Sequence, residues 1–150
     1  MKRFIQITLI LSLLLFSTGL TSANSGITVS IDGTPVAFTH ATGLPFIDAN
    51  NRTQVPFRIV LESFGATVEW NAAGRVAIAE KDGVTVRVPI GTHFVYRNGE
   101  QFINDTSSLV RDGRTYLPIR LVLESFGAEV NWDAATRTVL VTSPSQDDSN

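Results

Sequence analysis

The 150-residue chain has no cysteine. That excludes a disulfide framework, a thiolate metal site and the lipid-bearing cysteine of a bacterial lipoprotein. Histidine occurs only at His40 and His93, so three imidazoles cannot be brought together on one metal. Basic residues do not outnumber acidic ones: twelve Lys and Arg stand against fourteen Asp and Glu, a formal net charge of −2. Nucleic-acid binding needs a concentrated basic face, and a polybasic membrane-surface role needs the same excess. Beyond the first twenty or so residues, no apolar run is long enough to cross a bilayer.

What is present begins with an address. Lys2 and Arg3 precede Phe4 to Phe16, which is apolar apart from Gln6, Thr8 and Ser12, and Thr21-Ser22-Ala23 follows with small residues. This is the layout of a cleaved secretory signal peptide, expected over residues 1–23. An uncleaved anchor would need a longer apolar run, of about 20 residues. Cleavage after Ala23 removes Lys2 and Arg3, leaving 127 residues with ten basic and fourteen acidic side chains, a net of −4. A chain of this size buries about two-thirds of its unfolded surface, so it needs neither disulfide nor metal to fold. An exported protein without cysteine fits a bacterial origin. Residues 144–150 are polar and acidic and are expected to be a disordered tail.

Between signal and tail the chain repeats itself. Arg52-Thr53-Gln54-Val55-Pro56-Phe57-Arg58 and Leu61-Glu62-Ser63-Phe64-Gly65-Ala66 return as Arg114-Thr115-Tyr116-Leu117-Pro118-Ile119-Arg120 and Leu123-Glu124-Ser125-Phe126-Gly127-Ala128. Val68, Trp70, Ala72, Ala73 and Arg75 then meet Val130, Trp132, Ala134, Ala135 and Arg137, always 62 residues on. A period longer than a solenoid repeat implies two copies of a small globular unit, expected over about 27–81 and 82–143.

Each unit reads as strands, one helix, then a hairpin. Ile27 to Ile31 alternates apolar and polar at period two, and Val84 to Val88 is expected to do the same work in the second unit. Asp32-Gly33, Lys81-Asp82-Gly83 and Asn98-Gly99 are hairpin turns, because Asn or Asp before Gly tolerates positive φ. Pro56 and Pro118 suit the first helical position. Phe57, Val60, Leu61 and Phe64 then share one helical face, as do Ile119, Val122, Leu123 and Phe126. Gly65 and Gly127 close the helices. At about nine residues each helix is too short to stand alone, and the strand bearing Val68 and Trp70, or Val130 and Trp132, supplies the sheet that holds it. The expected fold is α+β: antiparallel β-sheets packed on two short helices, in two tandem repeats.

The motif made by Asn-Gly, Arg-Thr-x-[Val/Leu]-Pro-x-Arg, Glu-Ser-Phe-Gly-Ala and Val-x-Trp-[Asn/Asp]-Ala-Ala resembles the copper amine oxidase N-terminal-like domain, or stalk domain, of secreted and cell-surface proteins in Gram-positive bacteria. The resemblance runs from Ile27 to Val141. It implies an accessory surface module and not oxidase activity. In the full oxidases that it resembles, copper and the tyrosine-derived quinone belong to a separate catalytic domain, with three His ligands and a modified Tyr. This chain offers only two histidines, besides Tyr96 and Tyr116.

Candidate sites divide between chemistry and structure. Arg58 with Glu62, and Arg120 with Glu124, could bind a carboxylate, but read better as i,i+4 ion pairs on a helix. Trp70 and Trp132 could stack on sugars, but their phase with Val68 and Val130 places them in the core. His40 and His93 lack partners at metal spacing and read as solvated surface residues. Ser63 and Ser125 sit inside helices, not on an exposed elbow. Asp32, Asp48, Asp82, Asp105 and Asp112 occupy turns, where Asp bonds its own backbone. No catalytic, cofactor or metal residue is therefore assigned.

The expected function is a secreted, non-enzymatic interaction module that touches a protein or cell-wall polymer. Its expected contact loops are Thr39 to Asn50 and Thr106 to Asp112. The alternative is a glycan-binding module using exposed aromatics such as Phe46, Phe94, Tyr96 or Tyr116, which requires a shallow groove with at least two coplanar exposed rings. The expected compartment gives the first test. Protein recovered from culture medium should begin at Asn24 on N-terminal sequencing, and a membrane-retained chain still carrying Met1 would overturn the reading.

Overall fold

The computed structural model describes residues 26–146. The expected signal peptide at 1–23 and the end of the expected tail at 147–150 lie outside the described residues. The chain forms β1 (Thr28–Ile31), β2 (Thr34–Pro35), β3 (Phe46–Ile47) and β4 (Thr53–Pro56), then helix α1 (Phe57–Ser63). An unbroken antiparallel run follows: β5 (Thr67–Asn71), β6 (Val76–Lys81), β7 (Val84–Pro89), β8 (Phe94–Arg97) and β9 (Glu100–Ile103). β10 (Leu109–Arg111) and β11 (Arg114–Pro118) lead into α2 (Ile119–Glu124), and β12 (Glu129–Asp133) and β13 (Thr138–Thr142) complete the fold. The strands build three sheets, in the orders β12-β13-β1-β2, β10-β11-β4-β3 and β5-β6-β7-β8-β9. Mostly antiparallel sheet with two short helices is an α+β arrangement.

Turn chemistry sets the hairpins. Asp32-Gly33, Asp82-Gly83, Asn98-Gly99 and Asp112-Gly113 all have positive φ at both residues. Two-residue turns of this hand match the twist of the strands that they join. The last of them closes β10 onto β11, so the region expected as a loop from Thr106 to Asp112 contains a strand. Likewise β3 lies within Thr39 to Asn50.

Each helix is shorter than expected, with seven and six residues. Pro56 and Pro118 keep extended ψ of 119° and 114° and stand at the N-cap, finishing the strand instead of opening the helix. At the other end the chain closes twice. The Gly65 N–H donates to the Glu62 carbonyl at 3.0 Å and the Ala66 N–H to the Leu61 carbonyl at 2.9 Å. Gly127 and Ala128 donate in the same way to Glu124 and Leu123. This paired closure needs a left-handed residue, and the two glycines have φ of 89° and 84°.

The expected helix faces are all buried: Phe57, Val60, Leu61 and Phe64 on one side, Ile119, Val122, Leu123 and Phe126 on the other. They belong to one continuous core together with Val29, Ile31, Val86, Val88, Val139 and Val141. At its centre β4 and β11 pair antiparallel, with Leu117 opposite Val55, Tyr116 opposite Pro56 and Pro118 opposite Gln54. The rings of Phe64 and Phe126, at the two helix ends, meet at 5.8 Å.

β1 and β7 do not do the same work. β7 follows β6 through the Asp82-Gly83 turn, which makes the two antiparallel hairpin neighbours. β1 instead runs parallel to β13, from Thr28 opposite Thr138 to Ile31 opposite Val141. Among the described residues no two-residue turn joins β1 to a preceding strand, and β1 takes the free side of β13 and buries Val29 and Ile31 there. Because the core is shared, Leu117→Ala should cost about 2–5 kcal/mol and leave a single unfolding transition. Two separate transitions in urea, only one of them shifted, would show two cores.

Candidate functional site

Two surface clefts, of about 540 Å³ and 700 Å³, flank the helices. Both fall within the size range of small-molecule sites. Arg58 and Glu62 of α1, Trp70 of β5 and Arg114 of β11 wall the first. Arg120 and Glu124 of α2, Trp132 of β12 and Arg52 wall the second.

The arginine–glutamate pairs are as expected for helix neighbours four residues apart. Arg58 donates to Glu62 at 3.1 Å and Arg120 to Glu124 at 3.4 Å, all four side chains being largely exposed. Such exposed pairs contribute little stability, about 0.5 kcal/mol or less. Arg120 also donates to the Val130 carbonyl, tying α2 to β12.

The other two arginines brace loops. Arg114 donates to the carbonyls of His40 at 2.7 Å and Ala41 at 2.9 Å, drawing that loop over the first cleft. The approach is close enough to require glycine next door. A β-carbon on Gly43 would lie 2.5 Å from the Tyr116 hydroxyl oxygen and 2.9 Å from Arg114 Cδ. Arg52 instead engages Asp105 through two nitrogens, Nε at 2.7 Å and Nη2. This bond holds the Asp105 carboxyl below the ordinary aspartate range.

Behind Arg52 lies a half-buried carboxylate. Asp48 Oδ1 accepts from the backbone N–H groups of Asn50 at 2.9 Å and Arg52 at 3.0 Å. Its Oδ2 accepts from the Thr106 hydroxyl at 2.6 Å and the Gln54 amide at 2.9 Å. Burial pushes the Asp48 pKa up, but these four donors outweigh it and hold the group below its ordinary value. Gln54, itself fully buried, reaches on to the Ser107 carbonyl at 3.0 Å. Asp48 is therefore more than the local turn residue expected, since it joins the 48–54 segment to the 104–108 segment.

The tryptophans depart from expectation. Trp70 is 39% exposed and Trp132 41%, so neither is a core residue. A seven-residue helix is about 10 Å long. Each helix packs on the strand that carries Val68 or Val130, whereas the tryptophan two residues further along that outermost strand opens into the cleft walled by the Arg–Glu pair. Of the seven large apolar side chains left exposed among the described residues, five line the clefts: Trp70 and Val110 in the first, Ile47, Ile103 and Trp132 in the second. The in-phase Val-x-Trp spacing concealed this. Helix length was the signal that could have revealed it.

The aromatic platform required for the glycan alternative does not form from the four expected rings. Tyr116 is buried, 5.1 Å from Phe46 in an edge-on arrangement. Arg111 covers the Phe46 ring at 4.5 Å. Phe94 and Tyr96 lie 6.4 Å apart and are tilted by 56°.

The remaining candidates are dispersed. His93 Nδ1 faces the Asn104 carbonyl at 3.2 Å, whereas His40 sits in the loop held by Arg114. Ser63 is exposed at the end of α1, and buried Ser125 donates to the Leu121 carbonyl at 2.7 Å. Asp32, Asp82 and Asp112 are first residues of the tight turns. Among the described residues no three His, Cys, Asp or Glu side chains gather as a metal-binding group. The donors among the described residues do not fit a copper site.

Residues 30–141 match the family model of the copper amine oxidase N-terminal domain, a non-catalytic N-terminal part of amine oxidases. No curated protein matches the chain.

The Asp48 network makes a prediction with a definite sign. Asp48→Asn places an amide nitrogen against the Gln54 and Thr106 donors and should cost about 1–3 kcal/mol at neutral pH. The folded-state pKa is lowered, so the carboxylate stabilises the fold above its unfolded pKa, and this contribution is lost as pH falls through the folded value. Urea melts of wild type and variant should therefore differ at neutral pH and converge as pH falls through the lowered folded-state value of Asp48. An undiminished gap would remove charge from the explanation.

Proposed function

The chain belongs to the copper amine oxidase N-terminal domain family, and from that premise we propose a secreted, non-catalytic interaction module of the cell envelope. In this reading it follows a signal peptide at 1–23 and is built from two copies of one unit, about 27–81 and 82–143. It works by contact with a protein partner. The observation that carries the reading is the kinship of the clefts. Arg58, Glu62, Trp70 and Arg114 in one have Arg120, Glu124, Trp132 and Arg52 in the other, each 62 residues away. A binding surface kept in duplicate explains why an apolar indole stays half in solvent at both places.

Two features favour polypeptide over glycan. Val110, Ile47 and Ile103 add aliphatic surface, which suits apolar side chains better than sugar hydroxyls. The strands that carry the exposed side chains are outermost in their sheets: β5 and β10 at the first cleft, β12, β3 and β9 at the second. Open edges offer backbone donors and acceptors to an extended segment. Tryptophan and arginine are also the residue types that dominate contact energetics. Ala41, Thr42 and Val110 bring the expected contact loops into the first cleft.

The test compares wild type with the Trp70→Ala/Trp132→Ala double variant on two immobilised preparations, envelope proteins and purified wall glycan. Retention on the protein fraction should fall about thirtyfold or more, the scale of a lost hot spot of about 2 kcal/mol, while circular dichroism stays unchanged. Tryptophan-dependent retention on glycan alone would transfer the function to the glycan alternative. Equal retention of both proteins would clear the clefts of any role.

A further inference from the structure

Among the described strand pairings, β1 with β13 is the one parallel pair. Its partners are the first and last strands of the fold. Parallel alignment has a geometric consequence: the chain enters the ladder at Thr28, beside Thr138, and leaves it beyond Val141, beside Ile31. Entry and exit lie at opposite ends of one shared set of hydrogen bonds.

We propose that the fold is built to resist tension applied between its two ends, because such tension shears the β1–β13 ladder lengthwise. Force arriving before Thr28 pulls β1 one way along its axis, and force leaving after Thr142 pulls β13 the other way. In that geometry the ladder bonds stretch together and must fail together. Were the strands pulled apart from one end, the bonds would break one at a time. The residues between Asp32 and Arg137, with all their hairpins, lie outside the load path until the ladder fails. Sliding β1 past β13 also withdraws Val29, Ile31, Val139 and Val141 from the shared core, which adds apolar exposure to the barrier.

The ends of the ladder carry extra fastenings where load concentrates. At the entry, the Thr28 N–H donates to the Arg137 carbonyl and Arg137 Nε donates to the Gly26 carbonyl, both at 3.0 Å. At the exit, the Asp32 N–H donates to the Val141 carbonyl at 2.9 Å. There the Asp32 carboxylate accepts from the Ser143 N–H at 2.8 Å and from its hydroxyl at 2.6 Å. Exposed side chains thus clasp both extremities of the same short ladder. This resistance follows from the ladder itself and stands whether or not the clefts bind a partner.

The absence of cysteine makes the test direct, because introduced thiols are unique handles. Single-molecule pulling through Ser25→Cys and Ser145→Cys loads the ladder in shear. Pulling through Ser25→Cys and Ala134→Cys, the latter in the turn that precedes β13, peels it from the Thr28 end. The shear pair should unfold at a force about twofold higher or more at equal loading rate, since forced unfolding reads the unfolding barrier. Asp32→Ala removes the exit clasp. It should lower the shear force and leave the peeling force unchanged, because that clasp is the last contact to be loaded in peeling. Equal forces in the two geometries would overturn the inference. So would an Asp32→Ala effect of equal size in both, which would mark the clasp as general stabilisation.

Discussion

The antiparallel pairing of β4 with β11 is the contact on which the rest of the molecule depends. Leu117 faces Val55 at its centre, and the flanking pairs, Tyr116 with Pro56 and Gln54 with Pro118, exchange places under a shift of 62 residues. Each proline ends its strand, so each helix departs from an opposite end of one two-stranded ribbon. That single register brings α1 beside Arg114 and α2 beside Arg52, which is why each cleft takes its helix and its bracing arginine from different stretches of sequence. It also explains the common core. Two short helices that could not stand alone lie on shared strands, with Phe64 and Phe126 touching at their far ends.

Where the two halves differ, the centre of the ribbon decides the consequence. Gln54 and Tyr116 occupy corresponding positions and are both buried. Tyr116 packs edge-on against Phe46 and fits beneath Gly43. Gln54 cannot fill that volume with ring atoms, and its amide must be hydrogen-bonded once it leaves water. Asp48, Thr106 and the Ser107 carbonyl gather around it accordingly. One side of the ribbon is thus held by an aromatic contact and the other by a charged hydrogen-bond network, so the acid sensitivity of the two sides should differ.

Much of this was legible in the residues, and the boundary of legibility is physical. Helix faces follow from periodicity, because apolar positions at spacings of three, four and seven have one solution against a sheet. The Asn-Gly and Asp-Gly turns are legible because positive φ selects those residues. The tryptophans were misread because alternation along a strand reports which face a side chain shares and not how far the covering helix extends. Trp70 shares the face of Val68, but lies past the part of α1 that shields it. The polar network around Asp48 was missed for another reason: its donors come from residues 50–54 and from 106, and no local pattern links them. The partner of β1 was equally hidden. A strand joined by a two-residue turn declares its neighbour, whereas one that pairs across the whole chain does not.

That long-range pairing makes the two clefts, alike in residues, unlike in mechanical setting. Trp70 lies on β5, whose sheet ends at β9 and contains neither terminal strand. Trp132 lies on β12, paired directly with Val139 of β13, and Arg137 and Val139 themselves line the second cleft. If tension passes through β1 and β13, a partner seated in the second cleft grips a strand in the load path, whereas one in the first grips a sheet that the load bypasses. A ligand that braced β12 against β13 would add contacts that must also break before β13 moves, and so would raise the force needed to shear the ladder. The first cleft has no such connection. Duplication of a site can thus yield two places with the same chemistry and different sensitivity to force, set by which strand happens to lie behind each tryptophan.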